Sequence, residues 1–416
     1  MQIPESVVSA LQMKSSVRRG KSAVRRFILP RSTTPGYFAG PGDQIVVAGM
    51  FRTANGVGRA ALSCYRALLK SGHTPIAVDL SGMFNQVDVA SEVPLEEMPL
   101  GGRGTLILYA NAPETERALM GLGLRRWHKW RVIGAWAWEL SIVPADWVRQ
   151  TCFLSEIWAP SRFVQQAFQD AFSVPVRNVP HFVAVDPHAK AWPSPASRGD
   201  TTLRVLTIAD GRSSLHRKNL LTTMEMFSTA FPVKEAARLT VKCRNLSLYR
   251  QYEAEVMDCA RRDPRIDVID RSFSEEEQRQ LLWNSDLLVS SHRSEGFGMH
   301  LAEAMAAGRA TIATGWSGNL EFMTENNSVL LPFVLEPVSD PTGIYDSIPG
   351  ARWAKVDVGA GARALRELGG SPARREALAS RSRADIRTML RSHAYSEALG
   401  FAHSDLPPAG KKRHRL

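Results

Sequence analysis

The sequence predicts a two-domain α/β protein, with a parallel sheet in each domain and a ligand cleft between them. Three observations carry this expectation. At 416 residues the chain is too long for one core and suits two domains of ordinary size. Short apolar runs alternate with amphipathic stretches, the pattern of βαβ units. The alternation breaks once, at 186–200, where Pro, Ser, Ala and Gly cluster without periodicity.

The first series opens after a Pro/Gly-rich stretch at 35–41, with an apolar strand at 45–49. That strand enters the loop Asn55-Gly56-Val57-Gly58, and a helix follows over about 59–70. Gly72 stands where a glycine terminates a helix, its backbone free to turn left-handed. Further strands are expected at 76–79, 105–109, 132–135, 156–159 and 176–179. The second series gives strands at 203–208, 239–242, 266–269, 286–290, 310–313 and 329–331. Ser274 with Glu277 reads as a capping box opening the helix before strand 286–290. The expected organisation is a basic extension at 1–43, a Rossmann-like domain at 44–190, a linker at 191–200, a second Rossmann-like domain at 201–390, and a helix end with a basic tail at 391–416. Ligands of such sheets bind beyond the carboxyl ends of the strands.

Composition narrows the class. Hydrophobic content of 44% with 22% charged residues suits a globular enzyme, and no run approaches the ~18 apolar residues of a membrane span. No apolar segment of the secretory type follows the N-terminal charges, so the expected location is cytoplasmic. Cys64, Cys152, Cys243 and Cys259 are scattered and form no CxxC pair, which argues against a disulfide framework or structural zinc. The net charge of +11 sits at the ends. Lys14, Arg18, Arg19, Lys21, Arg25, Arg26 and Arg31 face one acid, Glu5, and Lys411, Lys412, Arg413 and Arg415 crowd the C-terminus, leaving the body nearly neutral. Basic ends suit an anionic membrane surface, peripheral on its inner face; solvated tails and a transit peptide are the alternatives. Nucleic acid is not expected, because no zinc-finger, RNP-like or helix-turn-helix pattern is present.

The densest chemical signal is Ser294-Glu295-Gly296-Phe297-Gly298-Met299-His300-Leu301-Ala302-Glu303. Glu295 and Glu303 are eight residues apart, which on one helix would point them in diverging directions. They serve one ligand only if Glu295 lies in the loop and Glu303 early in the helix, and Gly296 and Gly298 permit that turn. Between them, the amides of the helix start make a phosphate site. Two acids flanking a phosphate site suit a nucleotide sugar.

This run, from His292 through Thr314-Gly315-Trp316-Ser317-Gly318-Asn319-Leu320-Glu321-Phe322-Met323, resembles the retaining GT-B glycosyltransferases of the family 4 (glycosyl transferase group 1) type. The resemblance extends over roughly 44–390 and implies two facing Rossmann-like domains. It implies that Glu295 contacts the donor sugar and Glu303 the nucleotide ribose. It also implies donor contacts along Phe297, Gly298, Met299, His300 and Leu301. Arg217-Lys218-Asn219 is similar to the family's basic pair for the diphosphate leaving group. Lys218 fits best, with Arg212 or Arg217 as its partner, because Arg212 lies one residue farther from Lys218 than the family spacing. Gly56 and Gly58 match the glycine loop that faces the donor, although a tight strand-to-helix turn would also explain them. Trp138 and Glu139 are candidates for the acceptor side, with core packing as the alternative for the tryptophan. His181 reads mainly as structural.

No DxD triplet occurs, so no metal site and no cofactor is expected, the nucleotide sugar being a substrate. Retaining transfer to a saccharide or lipid-linked saccharide, in cell-surface polysaccharide or lipopolysaccharide synthesis, is what the resemblance implies. A sugar-nucleotide epimerase or hydrolase of the same fold, and a non-catalytic membrane-binding scaffold, remain the competing readings.

Overall fold

In the computed structural model, residues 28–31, 43–185, 201–232, 236–345 and 348–401 are described. The expected linker and nearly all of both basic ends lie outside these residues. Of the N-terminal segment, Leu29 is buried in the core of the first lobe.

Six strands build the first sheet: β1 (Gln44–Gly49), β2 (Ile76–Asp79), β3 (Gly104–Leu108), β4 (Arg131–Ala135), β5 (Glu156–Ala159) and β6 (Val176–Asn178). Their order is β2-β1-β3-β4-β5-β6, and every pair is parallel. The second sheet repeats the plan with β7 (Leu203–Ile208), β8 (Ala237–Cys243), β9 (Ile266–Asp270), β10 (Leu287–Ser290), β11 (Ala310–Thr314) and β12 (Val329–Leu331). Its order, β12-β11-β10-β7-β8-β9, is again all parallel. Central strands such as β1, β3 and β10 are buried almost throughout, which is why they read as continuous apolar runs rather than alternating ones.

Helices cover both sheets. Helix α1 (Gly56–Lys70) follows β1, capped by Asn55, whose Oδ1 accepts from Gly58 N at 2.7 Å. Gly72 takes a φ of 85° just past its end. After β3 comes α2 (Ala112–Leu122), and after β5 comes α3 (Arg162–Ala171). In the second lobe, the short turn α4 (Leu215–Lys218) and α5 (Leu220–Ala230) follow β7; α6 (Arg250–Arg262), α7 (Glu275–Trp283) and α8 (Met299–Ala306) complete the crossovers. Helix α7 starts with the capping box of Ser274 and Glu277. Helices α9 (Val358–Gly370) and α10 (Pro372–Met389) then lead to α11 (Ala394–Leu399).

Two features tie the lobes together in ways that the sequence does not signal. The first is α11, which returns to the first lobe and buries Tyr395 and Leu399 in its core, with Ser396 Oγ 2.9 Å from His73 Nε2. The second is an antiparallel hairpin, β13 (Phe333–Pro337) with β14 (Arg352–Val356). Its connecting stretch carries Tyr345, Ile348 and Ala351 into the first lobe's core, joined by Trp353 of β14. Among the described residues, no helix is long and apolar enough to cross a membrane.

Candidate active site

The second sheet reverses its strand order between β7 and β10, and this crevice at the strands' carboxyl ends is where an open α/β sheet binds ligands. Lys218 comes from the chain that leaves β7, and Glu295 from the chain that leaves β10. They meet across the switch point, Lys218 Nζ donating to Glu295 Oε1 at 2.5 Å. Both belong to the wall of an interlobe cleft of about 730 Å³, within the size range of small-molecule sites.

Local chemistry fixes each partner. Lys218 ends α4, and Asn219 behind it adopts a left-handed backbone (φ 58°) that starts the next helix afresh. The sequence predicts a helix start at this triplet; it lies instead at the break between two helices, which aims the lysine out of the helical register. Asn219 is anchored to the end of β10, its Nδ2 donating to Ser291 O at 2.9 Å while Ser291 Oγ donates to Asn219 O at 2.8 Å. Glu295 is held by its own amide, which donates to Ser317 Oγ at 2.8 Å, and by its carbonyl, which accepts from Gly318 N at 2.8 Å. A Cβ at Gly318 would lie 2.1 Å from Gly296 O, so that glycine is required by the close approach of the two loops. The segment 314–323 therefore acts as the mould of the Glu295 loop. His292 serves the same framework, buried between Ser290 Oγ at 3.0 Å and Asn319 Oδ1 at 3.1 Å.

Arg217, the alternative partner, reaches the cleft wall but is enclosed by protein groups. It is 1% exposed. Its Nη1 donates to Ser294 O at 2.6 Å and lies 3.2 Å from Glu295 Oε2, while its Nε donates to Ser213 O at 3.2 Å. Glu139 of the first lobe faces its Nη2 at 3.7 Å. A guanidinium so committed to protein partners holds Glu295 in place. Arg212 is exposed on the cleft wall and is the cation open to a ligand beside Lys218.

Burial alone would raise the Glu295 carboxyl, but Lys218 and Arg217 hold it well below the usual carboxylate range. Burial lowers the Lys218 ammonium, Glu295 opposes that, and Arg217 adds to it. The acid is thus ionised between two cations.

Helix α8 begins at Met299, with Gly298 as its cap in the left-handed region (φ 89°) and no side chain satisfying its first amides. Gly298, Met299 and His300 line the cleft, which brings the positive end of the helix to its wall. His300 lines the same wall, its Nε2 without a partner, and burial pushes its imidazole down to about 3. Glu303 lies one turn inside the helix, its Oε1 accepting from Arg59 of the first lobe.

Two of the expected donor contacts are placed differently. Leu301 is fully buried in the second lobe's core and its amide donates to Gly298 O at 2.9 Å, so it is a packing residue. Phe297 is buried against Phe322 and His181, with ring centroids 5.0 and 4.8 Å away, and reaches the cleft by one edge. His181 lines the cleft from behind that ring. Of the residues expected on the acceptor side, Trp138 is 6% exposed, donates from Nε1 to Ile142 O at 2.8 Å and packs against Trp147 and Tyr345. It belongs mainly to the core. Glu139 faces the cleft, its Oε2 accepting from the Tyr345 hydroxyl at 2.8 Å.

Gly56 and Gly58 have different roles. A Cβ at Gly58 would fall 2.4 Å from Met50 O and 2.7 Å from Thr53 O, backbone atoms that cannot move aside. At Gly56 a Cβ meets nothing within 4 Å, and the residue lines the cleft. Gly58→Ala is therefore expected to destabilise the fold by about 1–3 kcal/mol, as overpacking does. Gly56→Ala is expected to melt like the parent yet bind donor more weakly, because the added methyl projects into the cleft. Thermal melts paired with calorimetric titration of a nucleoside diphosphate check both.

Several cleft residues carried no sequence signal. Lys242, at the end of β8, is buried and donates to Cys243 O at 2.8 Å and Arg271 O at 2.5 Å, with burial pulling it down to about 8. Arg244 spans the lobes, bonding Asp210 at 2.7 Å and Asp88 of the first lobe at 2.5 Å. The carboxyl-end rule for parallel strands could have flagged both, since they close a strand beside β7.

Residues 207–348 match the family described as "Glycosyl transferases group 1". The C-terminal lobe is a group 1 glycosyl transferase domain. Solved structures extend the likeness to most of the chain. HepE of Anabaena, in its UDP-glucose complex, superposes with a TM-score of 0.58 at 14% identity, over 86% of this chain and 98% of that one. A glycosyltransferase from Rickettsia africae gives 0.55 at 14% identity, over 87% and 100%. TarM of S. aureus gives 0.52 at 11% identity over 71% of this chain, and the chain spans 54% of TarM's length. No curated protein sequence matches. At these identities the structural likeness speaks for the fold: this glycosyltransferase is of the GT-B type, with two facing Rossmann-like lobes.

Proposed function

We propose that the glycosyltransferase moves a sugar from a nucleotide-sugar donor to a hydroxyl of a saccharide or lipid-linked saccharide, with retention of anomeric configuration. The observation that carries this reading is the meeting of Lys218 with ionised Glu295 at the head of α8, while Glu303 stands one turn farther along the same helix. The nucleotide's ribose donates to Glu303, the diphosphate lies over the open amides of α8 beside Lys218 and Arg212, and a sugar hydroxyl donates to Glu295. The HepE complex with UDP-glucose and the TarM complex with UDP and α-GlcNAc-glycerol support a nucleotide-sugar donor.

Chemically, the bond from the anomeric carbon to the diphosphate oxygen breaks as the acceptor oxygen approaches on that same face. The developing negative charge on the leaving oxygen is met by Lys218, Arg212 and the helix amides, without a metal. The acceptor proton passes to a phosphate oxygen, so no protein base is needed. Glu139, fixed by Tyr345, offers a carboxylate to acceptor hydroxyls. A hexose is the sugar we assign, and cell-surface polysaccharide or lipopolysaccharide synthesis the setting. The test is turnover of a panel of nucleotide sugars with and without membrane extract. Nucleoside diphosphate release that requires the extract supports transfer; equal release without it makes the protein a hydrolase.

The basic ends enter this reading as an anchor. Six basic residues between Lys14 and Arg26 precede the buried Leu29. A polybasic segment gains about 1 kcal/mol per basic residue near an anionic surface. Deletion of residues 1–27, which spares Leu29, is expected to release the protein from phosphatidylserine vesicles at moderate salt while donor binding persists. Unchanged sedimentation with the vesicles, or none for the parent, would reduce the segment to a solvated tail.

A further inference from the structure

The cleft does not end at Glu303. A second cavity of about 840 Å³ lies beyond it, bounded by α1, α7 and the tail of α8. The two share Ala54, Arg59, Phe273, Gln278, Met299 and Glu303 as lining, so the bridge from Arg59 to Glu303 divides one continuous trough. Arg59 is also the one cation lining the cleft that comes from the first lobe, among the described residues; Arg212, Arg217, Lys218, Lys242 and Arg244 all belong to the second.

The chemistry of this pair follows from its burial. The side chains are 31% and 14% exposed. Burial raises the Glu303 carboxyl, Glu275 adds to that, and Arg59 pulls it back. Without Arg59 the acid drifts toward its neutral form, which is a weaker acceptor and competes as a donor. With Arg59 in place, Oε1 is occupied and the charged carboxylate has its second oxygen to offer.

We propose that Arg59 is a positioning residue for donor recognition: by holding Oε1 it turns the Glu303 carboxylate so that the other oxygen takes a ribose hydroxyl. Selection of ribonucleotides then depends on both lobes, one supplying the acceptor and the other the cation that sets it. This rests on the reading that Glu303 binds ribose.

The experiment compares UDP with its 2′,3′-dideoxy counterpart, and GDP with its own, by calorimetry on the full chain. A hydrogen bond to a charged group separates the members of a pair by roughly tenfold or more in the parent. Arg59→Ala is expected to shrink that ratio to about threefold or less while the dideoxy affinities hold, and Arg59→Lys to restore part of it. Thermal melts show that each variant is folded, and the dideoxy affinity serves as an internal control for cleft integrity. An undiminished ratio in Arg59→Ala, or tighter UDP binding by it, overturns the proposal. Glu303→Ala separates the two levels: if it keeps the parent's ratio, or if neither pair binds the parent, the ribose reading itself has failed, whatever Arg59 does.

Discussion

Replacing Glu295 by glutamine is expected to lower kcat by about two to three orders of magnitude, the size of effect seen when a group aimed at transition-state charge is removed. Affinity for the nucleoside diphosphate is expected to stay near the parent's, because the proposed partner of Glu295 is the sugar and not the nucleotide. The same substitution has a structural cost. Lys218 and Arg217 share this carboxylate, at 2.5 and 3.2 Å, and all three side chains are largely buried. Removing the negative partner leaves two cations facing each other, and stranding a buried charge costs about 3–5 kcal/mol. The melting temperature should therefore fall together with kcat. Steady-state kinetics, diphosphate titration and a thermal melt on one preparation check all three. A variant that turns over like the parent removes Glu295 from the site.

Lys218→Ala is expected to lower kcat about a hundredfold or more, with a smaller loss of donor affinity, because charge on the leaving diphosphate grows toward the transition state. Two cations are candidates to work beside it, and geometry separates them. Arg217 is enclosed by Ser213, Ser294, Glu295 and Glu139, while Arg212 lies open on the wall. Arg212→Ala is accordingly expected to weaken donor binding without disturbing the melt, whereas loss of Arg217 destabilises the Glu295 loop. A chelator is expected to leave parental activity intact. Rescue of chelated enzyme by a divalent cation would contradict electrostatic stabilisation by protein groups alone.

The two sheets can be read from sequence because buried parallel strands are continuous apolar runs bounded by turn residues. Strands such as Gly104–Leu108 and Leu287–Ser290 declare themselves by composition. The donor wall is legible for a related reason: Glu295, Gly298 and Glu303 lie in one short segment, and their spacing constrains the loop-to-helix turn. The remaining features depend on contacts between distant parts of the chain. Arg59 reaches Glu303 across 244 positions and Tyr345 reaches Glu139 across 206, and no local periodicity records either. Arg217 and Leu301 take other places than the motif implies, because a motif gives residue order but not side-chain direction. One residue's rotation separates Lys218, which meets Glu295 Oε1, from Arg217, which is enclosed against Oε2 and Ser294 O. Helix α11 reads in sequence as the start of a tail, since nothing local to Tyr395 and Leu399 says that the first lobe offers them a core.

Same-face transfer without a protein base is the central step of the proposed reaction. The measurement that tests it most directly is proton NMR of the product formed from an α-linked nucleotide sugar, taken early in the reaction before any later exchange. An anomeric coupling characteristic of the α linkage in the first product is the predicted result. A β-linked first product would require attack from the opposite face and a base to receive the acceptor proton, and would contradict the proposed same-face, base-free transfer.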